Sequence, residues 1–359
     1  MGQLWDNPMG TDGFEFVEYT SPEPKALGKL FEQLGFTAIA RHRSKDVTLY
    51  RQGDVNFIIN AEKTGFPRSF ARQHGPSACA IAFRVQDAAH AYARALEHGA
   101  WGVETKAGPM ELNIPTIKGI GDSLIYLVDR YGDRGSIYEV DFVPIKGVEQ
   151  HPQGVGFTYI DHLTHNVYRG RMDEWAEFYS RLFNFKEVGY FDIEGKLTGL
   201  KSRAMTSPCG KIRIPINESS DDKSQIQEYL HAYHGEGIQH IALGTNDIYA
   251  TVEQLRNRQV PLQETPDTYY EQVDQRVPGH GEDLERLKKN HILIDGAPTR
   301  GQGLLLQIFT NTVIGPIFFE IIQRKGNEGF GEGNFRALFE SIELDQLRRG
   351  VISEDKASH

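Results

Sequence analysis

An internal duplication limits the possible folds of this sequence more than any other feature. KLFEQLGF at 29–36 aligns with FYSRLFNF at 178–185, and in both segments the apolar residues recur at helical spacing. A second pair of similar segments follows in the same order, CAIAFRVQD at 79–87 and QHIALGTND at 239–247. Both segments of this second pair continue into helical patterns and end in a late strand with a glutamate, and chance poorly explains four matches in the same order. The chain therefore contains two kinds of unit in the order A–B–A′–B′. The first pair of segments belongs to A and A′, and the second pair belongs to B and B′.

The sequence of each A unit predicts a small module in which one strand is followed by a helix and then by further strands. Short apolar strands, FEFVEY at 14–19 and FTYIDHLTHNV at 157–167, precede the two matched helices, and alternating strand-like runs follow them. Paired modules of this type build a curved sheet with a concave face, which we call the cup. We therefore predict an α+β fold of tandem βαβββ modules in two open-barrel domains, 1–150 and 151–359, which meet at the aperiodic stretch IKGVEQHPQG.

Composition limits the function classes. Among 359 residues, 39 are Lys or Arg and 49 are Asp or Glu, so the net charge of −10 argues against general affinity for nucleic acid or anionic membranes. Only two cysteines occur, Cys79 and Cys209, and neither has metal-ligand spacing. No apolar run approaches a membrane span, and MGQLWDNPMG is unlike a secretory signal. We expect a cytoplasmic protein with a small-molecule partner.

The two halves differ in their histidines, so each half serves as the control for the other. At the position of His240 the first half has Ala80, and FEFVEY contains no histidine where the second half offers His162 and His165. Residues three apart on a strand face opposite sides, so only one of these two enters the cup. Spacing alone leaves that choice open, because a lone strand histidine is more often a core or surface residue.

Glutamates near the end of each half complete the candidate ligand set. Glu139 in SIYEVDF and Glu320 in IFFEIIQR occupy the late strand that we predict in each half. A buried carboxylate in so apolar a strand as that of Glu320 is costly unless it is paired or binds a metal. Two imidazoles and one carboxylate on one face of a divalent ion leave about three coordination positions open, an arrangement typical of Fe(II), although Mn, Co or Zn also fit. The complete set exists only in the second half.

Several motifs of the second half resemble those of the 4-hydroxyphenylpyruvate dioxygenases, members of the vicinal-oxygen-chelate superfamily. The matching motifs cover most of 155–345, and they are IDHLTHNV, PINES, QIQEYL, GIQHIAL, LLQIFT, FFEIIQR and GFGEGNFRALFESIE. The first half is similar mainly in DGFEFVE and ACAIAFRV. The resemblance implies the vicinal-oxygen-chelate fold and a non-haem dioxygenase that converts 4-hydroxyphenylpyruvate and O2 into homogentisate and CO2, in tyrosine and phenylalanine catabolism.

The resemblance also implies roles for individual residues. One Fe(II) per subunit would be held by His162, His240 and Glu320, which decides between His162 and His165. The residues at positions that resemble the family's substrate pocket are Ser202, Asn217, Gln225, Gln239, Gln307, Phe309, Phe318 and Phe335. Gly331 and Asn334 precede an amphipathic C-terminal helix that would form a lid over the cup, although the same helix could serve only for packing. Family members form homodimers or homotetramers, and we expect a homo-oligomer here.

Two other functions compete with this one. A 4-hydroxymandelate synthase would use the same substrate, iron and fold but would hydroxylate the benzylic carbon; the bulky Phe318 and Phe335 favour attack on the ring. A non-catalytic ligand-binding protein of the same fold would show no metal dependence. An extradiol dioxygenase would cleave catechols, which the leading hypothesis excludes.

Overall fold

The computed structural model describes residues 2–195, 197–334, 336, 343 and 346–353. Its strands are β1 Thr11–Thr20, β2 Thr37–His42, β3 Val47–Gln52, β4 Val55–Asn60, β5 Ser77–Val85, β6 Thr116–Lys118, β7 Leu124–Val128, β8 Phe142–Pro144, β9 Phe157–Asn166, β10 Lys186–Glu194, β11 Gly199–Thr206, β12 Arg213–Ser219, β13 Gly237–Thr245, β14 Leu293–Gly296, β15 Leu304–Phe309 and β16 Phe318–Lys325. Its helices are α1 Pro24–Gln33, α2 Gly65–His74, α3 Ala88–Glu97, α4 Ile137–Asp141, α5 Met172–Phe183, α6 Gln225–Tyr233, α7 Ile248–Asn257, α8 Asp267–Glu271, α9 Val273–Arg276 and α10 Leu284–Asn290.

The strands of the described residues form two eight-stranded sheets, one from each half of the chain. The first sheet has the order β6-β7-β5-β1-β4-β3-β2-β8, and the second has the order β10-β11-β12-β9-β13-β16-β15-β14. Read in opposite directions, seven positions correspond: β2, β3, β4, β1, β5, β7 and β6 match β10, β11, β12, β9, β13, β16 and β15. The directions of the central strands agree as well, because β1 and β9 each pair in parallel with one neighbour and antiparallel with the other.

This correspondence confirms the predicted α+β fold of repeated βαβββ modules. The matched helices α1 and α5 bury the residues that the helical spacing indicated, among them Phe31 and Leu182. Asn184, which follows the last residue of α5, adopts the left-handed conformation with φ 56°, and Gly35 has φ 95° after α1. Glycine and asparagine tolerate this conformation better than other residues, which explains why they alternate at the ends of the matched helices.

The predicted role of Glu139 is wrong. Glu139 lies in the short helix α4 and not in a strand, so it is not the counterpart of Glu320. The strand register identifies the true counterpart: Ala242 of β13 pairs with Glu320, and Ala82, at the same place in β5, pairs with Tyr126 of β7. The stretch between β13 and β16 is longer than the corresponding stretch between β5 and β7, because it includes α8, α9 and α10. This difference in length hid the correspondence.

The core joins the two halves through their convex faces. The ring of Phe83 in β5 contacts Phe183 at the end of α5, with 5.2 Å between ring centroids. Phe57 of β4 approaches Phe319 of β16 at 6.0 Å. The concave face of the first sheet has its own apolar cluster, which includes Phe16, Ile58 and Phe142. Among the described residues, we find no helix with the length and apolar character needed to cross a membrane.

Candidate metal centre

Three neighbouring strands bring the predicted ligands together. His162 in β9 pairs with Ala242 in β13, and Ala242 pairs with Glu320 in β16, so the three residues form one row across the sheet. His240 lies two residues before Ala242, on the same face of β13. The small side chain of Ala242 leaves space between the histidine on one side and the carboxylate on the other.

The distances within this cluster suit three adjacent positions of an octahedral ion. Glu320 Oε2 lies 3.0 Å from His162 Nε2 and 3.2 Å from His240 Nε2, and the two Nε2 atoms are 3.3 Å apart. Adjacent ligands in an octahedron with metal–ligand distances of about 2.1 Å are about 3.0 Å apart. All three side chains are at least 96% buried, and neither cysteine belongs to the cluster. The donor set and its spacing therefore fit a divalent transition metal.

The electrostatics of the cluster favour positive charge at its centre. Burial opposes ionisation of Glu320, but His162 and His240 outweigh it and lower the pKa of Glu320 to about 2. Burial also disfavours the charged form of His162, which would lower its pKa, but the carboxylates of Glu320 and Asp161 outweigh burial and raise the pKa to about 9. His240 has only the carboxylate of Glu320 to oppose burial, and its pKa is lowered. A cation between these groups, whether a proton on His162 or a metal ion, compensates the buried carboxylates.

Each ligand is held from behind by a second polar group. Asp161 Oδ1 accepts from His162 Nδ1 at 2.7 Å, and Gln239 Oε1 lies 3.0 Å from His240 Nδ1. Gln307 Nε2 donates to Glu320 Oε1 at 2.6 Å. With the Nδ1 atoms engaged in this way, the Nε2 lone pairs of both histidines are directed into the cup. Gln239 and Gln307, predicted as substrate residues, thus contact the ligands themselves.

Aromatic rings surround the histidines. Phe318 stacks on the His240 ring at 4.9 Å between centroids, and Phe309 meets the same ring edge-on at 6.3 Å. Phe330, which the sequence did not single out, approaches the His162 ring at 5.7 Å. These rings give the ligand cluster a largely apolar wall, and Phe309 and Phe318 are two of the aromatic residues that the sequence analysis assigned to the substrate pocket.

Buried amides with free hydrogen-bonding capacity lie farther along the same sheet. Asn217 of β12 pairs in register with Ser202 of β11 and with Asn166 of β9, and all three residues are at most 1% exposed. Asn217 Nδ2 donates to Asn166 Oδ1 at 3.3 Å, and within the described part of the chain Asn217 Oδ1 and Asn166 Nδ2 have no partner. An unpartnered acceptor beside an unpartnered donor suits a ligand hydroxyl, which can both donate and accept.

The other predicted pocket residue, Gln225, begins α6 and lines an open cleft together with Gln239 and Phe318. Residues from both halves of the chain line this cleft, including Arg72 and Pro76 from the first half. The cleft therefore links the surface to residues that touch the candidate metal ligands.

The segment after β16 reaches back to the site. Gly331 has φ 64°, and its Cα lies so close to Gln307 that a Cβ would collide with the side-chain oxygen of that residue. Asn334 Nδ2 donates to Gln307 Oε1 at 2.8 Å, and Asn334 Oδ1 accepts from the Tyr269 hydroxyl at 2.9 Å. Phe335 and most of the predicted lid helix lie outside the described residues.

His165 lies away from the cluster. Its Nε2 is 2.6 Å from the hydroxyl of Tyr179 in α5, on the other face of β9, and burial lowers its pKa to about 3. Sequence reasoning missed Asp161, Asn166 and Phe330. Asp161 and Asn166 lie within the motif IDHLTHNV, but a single sequence does not show which polar residues of a strand face the cup.

The same positions in the first sheet carry no metal ligands. The strand registers place Phe16, Ala80 and Tyr126 where the second sheet has His162, His240 and Glu320. The Phe16 and Tyr126 rings are in contact, with 5.5 Å between their centroids. Two aromatic rings therefore fill the place that the ligand cluster occupies in the second sheet.

Two family models match the chain. The model described as hydroxyphenylpyruvate dioxygenase, N-terminal, matches residues 5–143. The model of the glyoxalase, bleomycin resistance protein and dioxygenase superfamily matches residues 159–273. The two matches fall on the two sheets.

Similar proteins extend these matches over nearly the whole chain. The chain is 65% identical to a 4-hydroxyphenylpyruvate dioxygenase from Pseudomonas aeruginosa, over 96% of this chain and 97% of the relative. It is 63% identical to a protein named hemolysin VllY from Vibrio vulnificus, over 97% and 98%. The solved structure of a triple mutant of 4-hydroxymandelate synthase from Streptomyces coelicolor shares 25% identity with a TM-score of 0.82, over 94% of this chain and all of that one. The chain belongs to the 4-hydroxyphenylpyruvate dioxygenase family.

Proposed function

We propose that this protein is an Fe(II)-dependent dioxygenase that converts 4-hydroxyphenylpyruvate and O2 into homogentisate and CO2. The observation that carries the proposal is the buried cluster of His162, His240 and Glu320, with ligand atoms 3.0–3.3 Å apart, in a chain 65% identical to a 4-hydroxyphenylpyruvate dioxygenase. Nitrogen and oxygen donors of this kind hold Fe(II) and leave positions for substrate and O2. Mn, Co and Zn are the competing ions, and activity after reconstitution with each one tests the choice.

The ligand residues would hold iron on one side only. When bound, the metal supplies a chelation point for the keto acid and the electrons for O2 activation. Asp161 and Gln239 keep the histidine rings oriented from behind, at 2.7 and 3.0 Å from the Nδ1 atoms. The chain itself therefore contributes a fixed set of donors whose open side faces the cup.

The remaining residues orient the substrate and exclude water. We propose that Phe309 and Phe318 pack against the aromatic ring, because both line the cup beside His240. Asn217, which pairs in register with Ser202, would bind the phenol hydroxyl through its Oδ1, an atom with no partner among the described residues. We propose that Ser202 and Gln225 also contact the substrate. Gln239 and Gln307 would reach the keto acid from their places against the ligands. These neutral groups bind the substrate without competing for the metal.

Product identity tests the proposed reaction against 4-hydroxymandelate synthesis. The relative from Pseudomonas aeruginosa is 65% identical, whereas the 4-hydroxymandelate synthase structure is 25% identical, which favours attack on the ring. The iron-loaded protein, incubated with 4-hydroxyphenylpyruvate under O2, should release homogentisate, and 4-hydroxymandelate as the main product would overturn the proposal. Catechols should not be cleaved.

A non-catalytic binding protein is the rival from a different class. It would not need a buried carboxylate between two histidines, an arrangement that is costly unless an ion compensates it. O2 uptake with the keto acid should therefore depend on added Fe(II) and be abolished by a chelator. Uptake that persists without metal would contradict the proposed site.

We also propose that the domains meet near residue 150, between β8 and β9, with a metal-free first domain at 1–150 and the catalytic domain at 151–359. The two sheets, built from residues 11–144 and 157–325, support this division. The proposed homo-oligomer, a dimer or tetramer, is tested by sedimentation of the full chain. A monomer at micromolar concentration would refute it.

A further inference from the structure

Asp161 is fully buried, and its carboxylate has other partners besides the neighbouring His162. Its carboxylate accepts from His162 Nδ1 at 2.7 Å, from Arg324 Nε and Nη2 at 2.8 and 2.9 Å, and from the Tyr159 hydroxyl at 3.2 Å. Asp161 is also the extra residue of a β-bulge, because His162 pairs with Ala242 while Ile160 pairs with the next residue, Leu243. A bulge turns a side chain that would otherwise face away, which explains how neighbouring residues act together here.

The cations that neutralise Asp161 also hold the segment after β16. Arg324 Nη1 donates to the carbonyl oxygens of Asn327 and Gly329, at 3.0 and 2.6 Å. Arg213 Nη1 lies 3.6 Å from Asp161 Oδ2, while its Nη2 donates to Glu328 Oε2 at 2.7 Å. The guanidinium of Arg324 also lies over the ring of Phe330, at 5.9 Å, and that ring contacts His162. Segment 327–330 is therefore tied to Asp161 at several points.

A second series of bonds ties the following residues to another ligand. Glu320 Oε1 accepts from Gln307, and Gln307 Oε1 accepts from Asn334, at 2.6 and 2.8 Å. Segment 327–334 is thus connected at its beginning to His162 and at its end to Glu320. The hydrogen bonds form a path from one ligand to the other through the segment that lies over the cup.

We propose that Asp161 is a positioning residue that couples His162 to segment 327–330 through Arg324 and Arg213, so that metal binding and the placement of this segment support each other. A carboxylate that accepts from Nδ1–H fixes the orientation and tautomer of the histidine ring, and it makes Nε2 a stronger metal ligand. Two guanidinium groups balance the charge of that buried carboxylate: Arg324 lies 2.8 and 2.9 Å from its oxygens, and Arg213 lies 3.6 Å from Oδ2.

The first sheet supplies an independent parallel. Glu15 is the extra residue of the corresponding bulge, between Phe14 and Phe16. Its carboxylate accepts from Arg84 and from the Tyr138 hydroxyl, both at 3.3 Å. Tyr138 belongs to α4, which follows the last central strand of the first sheet just as segment 327–334 follows β16. In both sheets a buried carboxylate at this bulge anchors the next segment over the cup, but only Asp161 also contacts a histidine.

The inference rests on the proposed metal site, so the experiment separates the two. Co²⁺ is titrated calorimetrically into the metal-free full-length chain, and hydrogen exchange of the peptide covering 326–334 is followed with and without Co²⁺. The variants are Arg324→Lys, which keeps the charge but not the two-pronged geometry, and Asp161→Asn. The matched control is Arg203→Lys, since Arg203 in β11 also pairs with two carboxylates, Asp173 and Glu187, outside the ligand cluster.

We expect Co²⁺ to slow exchange of this peptide in the unaltered chain and in Arg203→Lys. Arg324→Lys and Asp161→Asn should weaken Co²⁺ binding by about 10-fold to 100-fold, as loss of an outer partner does, and should abolish the slowing. If Asp161→Asn fails to fold, Arg324→Lys decides alone. The coupling is overturned if both variants bind Co²⁺ normally, if the slowing persists in them, or if Co²⁺ never affects the peptide.

A third variant tests the metal site itself. His162→Ala should abolish Co²⁺ binding, and retention of binding would contradict the assignment of His162 as a ligand. Loss of binding in His162→Ala together with normal binding in Arg324→Lys would leave the proposed function intact and refute only the role of Asp161.

Discussion

The two sheets of this protein share a strand order and differ in what fills their cups. Phe16, Ala80 and Tyr126 occupy in the first sheet the register positions that His162, His240 and Glu320 occupy in the second. The aromatic rings of Phe16 and Tyr126 contact each other and fill the first cup, whereas nitrogen and oxygen donors converge in the second. The difference shows that the backbone supplies three convergent positions in either sheet, and that their side chains decide whether these positions become apolar core or a candidate metal site.

The largest expected effect comes from making the second cup resemble the first. His240→Ala places in β13 the residue that β5 already has at this point. Metal affinity should fall by more than the roughly 100-fold that loss of an outer partner costs, because a direct ligand is removed. Calorimetric titration and metal analysis measure this, and His90→Ala, an exposed histidine on α3, is the control. One ion per chain retained by His240→Ala would contradict the site.

The next effect concerns the packing of the first cup. Phe16→Ala should lower the free energy of unfolding by about 3–5 kcal/mol, because the ring is 3% exposed and its removal leaves a cavity. Metal binding in the second sheet should not change. Urea denaturation and Co²⁺ titration check the two statements. A parallel loss of metal affinity would mean that the sheets are not independent.

A smaller effect tests the alanines that lie at the same place in both sheets. Ala242 separates His162 from Glu320, and Ala82 separates Phe16 from Tyr126. A valine in either position should cost about 1–3 kcal/mol of unfolding free energy through overpacking. Only Ala242→Val should also weaken metal binding, since its extra methyl groups enter the space between two ligands. Equal metal affinities in the two variants would refute this view of the cup.

The smallest effect distinguishes the two bulge carboxylates. Glu15→Gln should cost about 1 kcal/mol of stability, because a hydrogen bond to Arg84 loses its charge. It should leave Co²⁺ affinity unchanged, in contrast to Asp161→Asn. Denaturation and titration of both variants under the same conditions provide the comparison. A shift in Co²⁺ affinity for Glu15→Gln would show that the first sheet influences the metal site.

Much of the fold could be predicted from the sequence, for identifiable reasons. The helical spacing in 29–36 and 178–185 gave the matched helices, because amphipathic helices repeat their apolar residues with a period that a single sequence displays. The first half has Ala80 at the position that corresponds to His240, and this difference indicated which half holds the ligand cluster. Family motifs, not spacing, selected His162 over His165.

Other features could not be predicted in this way. The counterpart of Glu320 was missed, because Tyr126 has no chemical likeness to glutamate and a different length of chain precedes it. The role of Asp161 depends on a bulge, and alternation along a strand predicts that neighbouring side chains face opposite sides. Phe330 was missed because its contact with His162 arises from the path of a loop.

The sequence by itself determined that two similar modules exist and that one of them carries imidazole and carboxylate donors, since periodicity and residue type are local properties. Only the tertiary structure decided that His162, His240 and Glu320 converge within 3.3 Å, because that depends on the register of β9, β13 and β16. It also decided that Asp161 binds His162 and Arg324 together, since one bulge turns its carboxylate toward both.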